Sequence, residues 1–157
     1  MKVRTIFLKD IAVEEVNGEF QQVIKNEKKY PAFLTNYAMQ KGRDSGLLDS
    51  SLFSELLKLH SVVGSQKTDE LDPSVIGQFD EANAQKVIYV AFLGANPANK
   101  MTFEDFLRKY HEPLPKSIEL YSELISDLMD QDPNQFAKAL EKSKAPNKNQ
   151  KKFNRRR

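Results

Sequence analysis

The stretch Ala84-Gln85-Lys86-Val87-Ile88-Tyr89-Val90-Ala91-Phe92-Leu93-Gly94-Ala95-Asn96-Pro97 decides how this chain folds. Ala84, Val87, Ile88, Ala91, Phe92 and Ala95 recur with the period of an α-helix, while Tyr89, Val90 and Leu93 fill the other faces. A helix that is apolar nearly all round is a central one, which other elements must surround. It ends at Gly94-Ala95-Asn96-Pro97, because the residue before a proline is disfavoured in the α region.

Downstream, Thr102 with Asp105 forms a capping box in which Asp replaces the usual Glu. It starts a short helix carrying Phe103, Phe106, Leu107 and Tyr110. His111-Glu112-Pro113-Leu114-Pro115 breaks that helix, and Ser117 is expected to cap a long one. In the long helix Ile118, Tyr121, Leu124, Ile125 and Leu128 form an apolar stripe, and Glu119, Glu123 and Asp127 an acidic one. Asp132-Pro133 then begins a last short helix through Phe136 and Leu140.

Upstream of the central stretch, Val75, Ile76 and Phe79 begin a helical segment, preceded by a breaker-rich loop over 64–74. Leu52, Phe53, Leu56, Leu57 and Leu59 form a helical stripe with Asp49 or Ser50 as its cap. Pro31 is expected to open a helix whose face holds Phe33, Leu34, Tyr37 and Ala38 and which ends near Gly42. At the start, Val3, Thr5 and Phe7 alternate with their neighbours, and Val13–Val16 and Glu19–Ile24 flank Asn17-Gly18, the dipeptide best suited to a tight hairpin turn. A small sheet over residues 1 to about 27 is expected. The competing reading is a disordered arm.

Together these elements predict a mainly α chain. Residues 1–141 form one compact domain of about six helices with a small N-terminal β-hairpin or sheet. Residues 142–157 form a disordered basic tail.

Composition sets the boundaries of function. The 157 residues are 39% hydrophobic and 29% charged, an ordinary globular balance. The absence of cysteine excludes disulfides and thiolate metal sites, and His60 and His111 lie far apart in the chain. Lys9-Asp10 interrupts the N-terminus too early for the apolar core of a signal peptide, and no apolar run is long enough to span a bilayer. The expected location is therefore the cytoplasm. The net charge of +2 conceals a split: Lys142, Lys144, Lys148, Lys151, Lys152, Arg155, Arg156 and Arg157 supply eight cations. What precedes them holds 16 basic against 22 acidic residues, a net of about −6.

No phosphate loop, HExxH, GxSxG or CxxC motif occurs, so no catalytic residue, metal ligand or cofactor is assigned and the chain reads as a non-enzyme. His111 beside Glu112 could pair as base and orienter, but adjacent helix residues point apart, and a histidine interacting with a helix C-terminus is the plainer reading. His60 has the same explanation. The acidic stripe is a solvated helix face before it is a divalent-cation site.

Three segments carry a family resemblance: Lys86 to Pro97, then Met101-Thr102-Phe103-Glu104-Asp105-Phe106-Leu107, then Leu120-Tyr121-Ser122-Glu123-Leu124-Ile125. Together with Tyr30 to Tyr37 and Ser50 to Phe53, they resemble the tail assembly chaperones of long-tailed bacteriophages and of prophages in Gram-positive bacteria. The N-terminal strand region departs from the shorter hairpin start of part of that family. The resemblance implies a protein that holds the tape-measure protein and helps recruit tail-tube subunits. These would be its partners, in the cytoplasm of the host.

A holdase needs an apolar surface, and homo-oligomerisation is one way of covering it when no client is present. Phe103, Phe106, Tyr110, Tyr121 and Leu124 are the candidate contact residues, with the basic tail as a steering arm. The competing reading places all five in the core, Tyr121 and Leu124 first. The rival function is a small nucleic-acid-binding regulator whose tail neutralises phosphates.

Overall fold

The computed structural model of the chain describes residues 2–49 and 80–131. Two strands come first, β1 (Arg4–Val16) and β2 (Glu19–Ala32), then helices α1 (Asn36–Asp44), α2 (Glu81–Ala95), α3 (Phe103–Lys109) and α4 (Leu114–Gln131). The strands pair antiparallel in a two-stranded sheet.

This corrects the expected count and balance. Among the described residues four helices are present in place of about six, and about 48% of those residues are helical and 28% in strands, so the hairpin is a principal element of the fold. The strands run for 13 and 14 residues, well past the segment read as a small sheet. The polar run Lys25-Asn26-Glu27-Lys28-Lys29 hides the continuation, because a strand open to water needs no apolar alternation. Pro31 does not open a helix. It lies in β2 opposite Thr5, and the chain then crosses to α1 through Phe33, whose N–H donates to Ala91 O at 3.1 Å. Thr35 caps α1, its hydroxyl accepting from Ala38 N–H at 3.0 Å.

The central position of α2 holds. Val87, Ile88, Val90, Ala91 and Phe92 are almost completely buried, and the helix packs against β2, α1, α3 and α4. Asp80 caps its start and Asn96 its end. The Asn96 amide donates to Phe92 O at 2.8 Å and to Pro31 O at 2.9 Å, tying the helix end to the hairpin root. Gly94 lets α1 and the Phe33 backbone approach: a Cβ there would lie 2.8 Å from Phe33 O and 3.0 Å from the Ala38 Cβ.

Thr102 caps α3 as expected, its Oγ1 accepting from Asp105 N–H at 3.1 Å, while the Asp105 carboxylate accepts from the Thr102 hydroxyl at 2.8 Å. Ser117, in contrast, caps nothing. Helix α4 begins at Leu114, with Pro115 in its first turn where the missing N–H is harmless. This puts Ser117 inside the helix, buried, with its hydroxyl 3.0 Å from that of Tyr110. The helix expected from Asp49 or Ser50, the loop over 64–74, the start at Val75, Ile76 and Phe79, the helix after Asp132 and the basic tail all lie outside the described residues.

Candidate binding surface

The hairpin divides into an anchored root and an open arm. At the root, Ile6, Leu8 and Ala32 are buried in the core. Arg4 donates from Nε and Nη2 to both carboxylate oxygens of Asp127, at 2.8 and 3.0 Å, and its Nη1 lies 2.9 Å from Glu123. The Asp127 hydrogen bond raises the Arg4 pKa above its already high ordinary value, against the opposing effect of burial. Lys109 at the end of α3 reaches Asp10 at 2.6 Å. That hydrogen bond, with one from Asn26, holds the Asp10 carboxyl below the usual range.

From Lys9 to Pro31 no residue is buried. The far end turns at Asn17 and Gly18, with φ of 55° and 80°, the left-handed pair of a two-residue hairpin turn. A bulge divides arm from root. Leu8 pairs with Lys28 and Asp10 with Lys25, so Lys9 faces two residues of β2. One of them, Asn26, takes φ 53° and donates its side-chain amide to Asp10 at 3.0 Å. The extra residue lies on β2, so alternation along β1 is uninterrupted.

Register and alternation therefore fix the faces of the arm. Ile6 and Leu8 point to the helices, which places Phe7, Lys9, Ile11, Val13 and Glu15 on the opposite, outer face. Ile24 stands opposite Ile11, Gln22 opposite Val13 and Phe20 opposite Glu15. Phe20 is 79% exposed, Val13 68% and Ile24 55%. These side chains form an apolar row along one side of a ribbon that nothing else in the described residues covers. Val16 at the tip and Tyr37 on α1 are exposed as well.

The residues chosen from the sequence are elsewhere. Phe106, Tyr110, Tyr121 and Leu124 are buried, and Phe103 packs half-buried against them, so their expected exposure is corrected. They form the aromatic half of the core. The Tyr89 ring lies 5.3 Å from those of Phe103 and Phe106, and Phe106 stacks on Tyr110 at 5.2 Å. The reason is packing: with α2 apolar on every face, α3 and α4 must turn their stripes onto it. Burial pushes the Tyr110 hydroxyl up to about 12, partly offset by its bond to Ser117. The tail cations Lys142, Lys144, Lys148, Lys151, Lys152, Arg155, Arg156 and Arg157 lie outside the described residues, as does His60.

His111 sits between α3 and α4 with Nε2 buried and without a hydrogen-bond partner, so Glu112 does not orient the ring through that nitrogen. Among the described residues, no group of three or more His, Asp or Glu is placed to hold a metal ion, and no helix is long and apolar enough to cross a membrane. Two shallow cavities among the described residues adjoin the hairpin root and α1. One, of about 170 Å³, lies at the hairpin root between Phe7, Tyr110 and Glu119. The other, of about 330 Å³, lies between α1 and α2 beside Tyr37, Leu47 and Leu93.

The sequence carried a signal for the exposed row that the helical stripes overshadowed. Val13–Val16 and Glu19–Ile24 flank a tight turn, and a two-stranded ribbon has two faces of which one helical layer can cover only one. No family model, curated protein or solved structure matches the chain.

Proposed function

We propose that this protein is a non-enzymatic tail assembly chaperone, which holds the tape-measure protein in the host cytoplasm and helps recruit tail-tube subunits. The observation that supports the reading is the hairpin arm, whose outer row of half-buried Ile11 with exposed Val13, Phe20 and Ile24 forms an apolar surface that no other described residue covers. An elongated apolar ribbon suits a client that is itself long and helical, because side chains of an amphipathic helix can lie along it over several turns. The acidic Asp10, Glu14, Glu15 and Glu19 around that row add a preference for clients with flanking lysine or arginine.

Co-expression of the tagged chain with a tape-measure protein from the same genome, followed by pull-down and sizing, tests the proposal. A soluble complex that survives truncation after Glu141 supports it. An insoluble, unbound tape-measure protein contradicts it. If the full chain then shifts nucleic acid and loses that activity on truncation, the basic tail is the functional element.

A further inference from the structure

We infer that the outer faces of two hairpin arms pack on one another about a two-fold axis near Ile11, making the chain a homodimer through β1 and β2. The inference concerns the chain alone and stands without the chaperone reading.

Three observations carry it. The first is the arm itself. A two-stranded ribbon is at best marginally stable in water unless something packs on a face, and beyond Asp10 the helices bury none of this one. The second is the apolar row, which runs down the middle of the outer face from Phe20 through Val13, Ile24 and Ile11 to Phe7.

The third observation, the distribution of charge, selects a second copy as the occupant. Residues 10–24 contain four acids, Asp10, Glu14, Glu15 and Glu19, and no base. The root carries the cations. On the outer face, Lys29 stands opposite Phe7, with its Nζ 5.7 Å from the centre of the Phe7 ring, and Lys9 follows next to it on β1. Glu27 on that face is taken up by Lys9, 4.0 Å away, which leaves Glu15, four residues beyond Ile11, whereas Phe7 is four residues before it. At a strand rise of about 3.3 Å per residue, Glu15 and the Phe7–Lys29 pair lie about 13 Å to either side of Ile11.

A two-fold lying between the sheets and crossing the strands at the Ile11–Ile24 pair stacks β1 on β1 in the opposite direction, so Glu15 of each copy lies over Phe7 of the other, with Lys29, the cross-strand neighbour of Phe7, one strand away and within reach of the carboxylate. Phe20, the cross-strand neighbour of Glu15, lies over Lys29 of the other copy and diagonal to its Phe7, and Ile11 and Ile24 pack on their own equivalents at the centre. An isologous contact of this kind closes on itself as a dimer rather than growing into a fibre. Pairing edge to edge along β2 is disfavoured by the Asn26 bulge and by Lys25 and Lys28.

The test is analytical ultracentrifugation of the full chain and four variants, with no client present. The wild type is expected to sediment as a dimer that weakens as salt is raised. Ile24→Glu, at an exposed position, is expected to give a monomer that keeps the helical circular dichroism signal. Glu15→Lys and Lys29→Glu should each raise the dissociation constant at least about tenfold, since like charges then face each other across a partly dry interface. The double swap, Glu15→Lys with Lys29→Glu, should restore association to within about threefold of the wild type, because both cross-copy pairs are rebuilt in reverse. A wild-type monomer at every concentration, a dimer indifferent to Ile24→Glu, or a double swap no better than either single change would overturn the inference.

Discussion

Arg4 and Asp127, 123 positions apart, are joined by a two-pronged ion pair of 2.8 and 3.0 Å that fixes the first residue of β1 to the last turns of α4. Both side chains are mostly covered, at 20% and 14% exposure, so the pair is screened less than a surface bridge. Replacing Arg4 by Ala leaves Asp127 half-buried beside Glu123 without its cation. The expected loss is about 2 kcal/mol, read from urea unfolding. Arg4→Lys keeps the charge but not the fork, and should recover less than half of that loss.

Tyr110 predicts an alkaline limit to stability. Its folded value, raised by burial to about 12, stands above the ordinary 10 of the unfolded chain. The stabilising difference is complete below about pH 10 and is lost as pH rises from there to about 12, because the unfolded state gives up the proton first. Urea midpoints should fall over that interval, and Tyr110→Phe should flatten the fall. Absorbance of the phenolate should show a late-titrating component, to which the buried Tyr89 also contributes, and Tyr110→Phe should diminish it.

At the acid end the sign reverses. The Asp10 carboxyl is held low by Lys109 and then Asn26, so its contribution is present above the unfolded carboxylate value and lost as pH falls through the folded one. Lys109→Ala should move the Asp10 titration upward, toward that of an isolated aspartate. The measurement is the side-chain carboxyl carbon shift in NMR as a function of pH.

Ser117→Ala removes the partner of the buried Tyr110 hydroxyl, which has lost its access to water. A cost of about 1–2 kcal/mol is expected, and the double change with Tyr110→Phe should cost less than the sum of the two. A fully additive double mutant would show that the two hydroxyls are not coupled.

Gly94→Ala should destabilise more than either end of the hairpin turn. Its Cβ would meet the Phe33 carbonyl and the Ala38 methyl, a backbone and a rigid neighbour, so α1 must shift at a cost of about 2–3 kcal/mol. Gly18→Ala meets nothing within 4 Å. It should cost only the left-handed conformation, about 1 kcal/mol.

These positions also show which parts of the fold could be read from the sequence. The period of Ala84 to Ala95 placed α2 at the centre, and the Thr102 cap and the Asn17-Gly18 turn fell where the residues put them, because each is a local rule with one physical cause. The extent of β2 was hidden by its lysines, and the start of α4 by two prolines that look like breakers yet suit a first turn. Burial was the hardest to read. An aromatic on a short helix such as Phe106 is a contact residue or a core residue depending on what lies across from it, and that is a tertiary fact. The exposed row on the arm was missed for the same reason: Phe20 looks like any strand phenylalanine until the helices are seen to end short of it.

We propose that the outer face of the arm is where this protein meets its client. The most direct measurement is co-expression with the tape-measure protein, comparing the wild-type chain with the double variant Val13→Asp and Phe20→Asp, whose substitutions fall on exposed positions and should leave the helical core folded. The account predicts a soluble complex with the wild type, and an insoluble tape-measure protein with the variant. An equally abundant complex with both chains, or none with either, would contradict it.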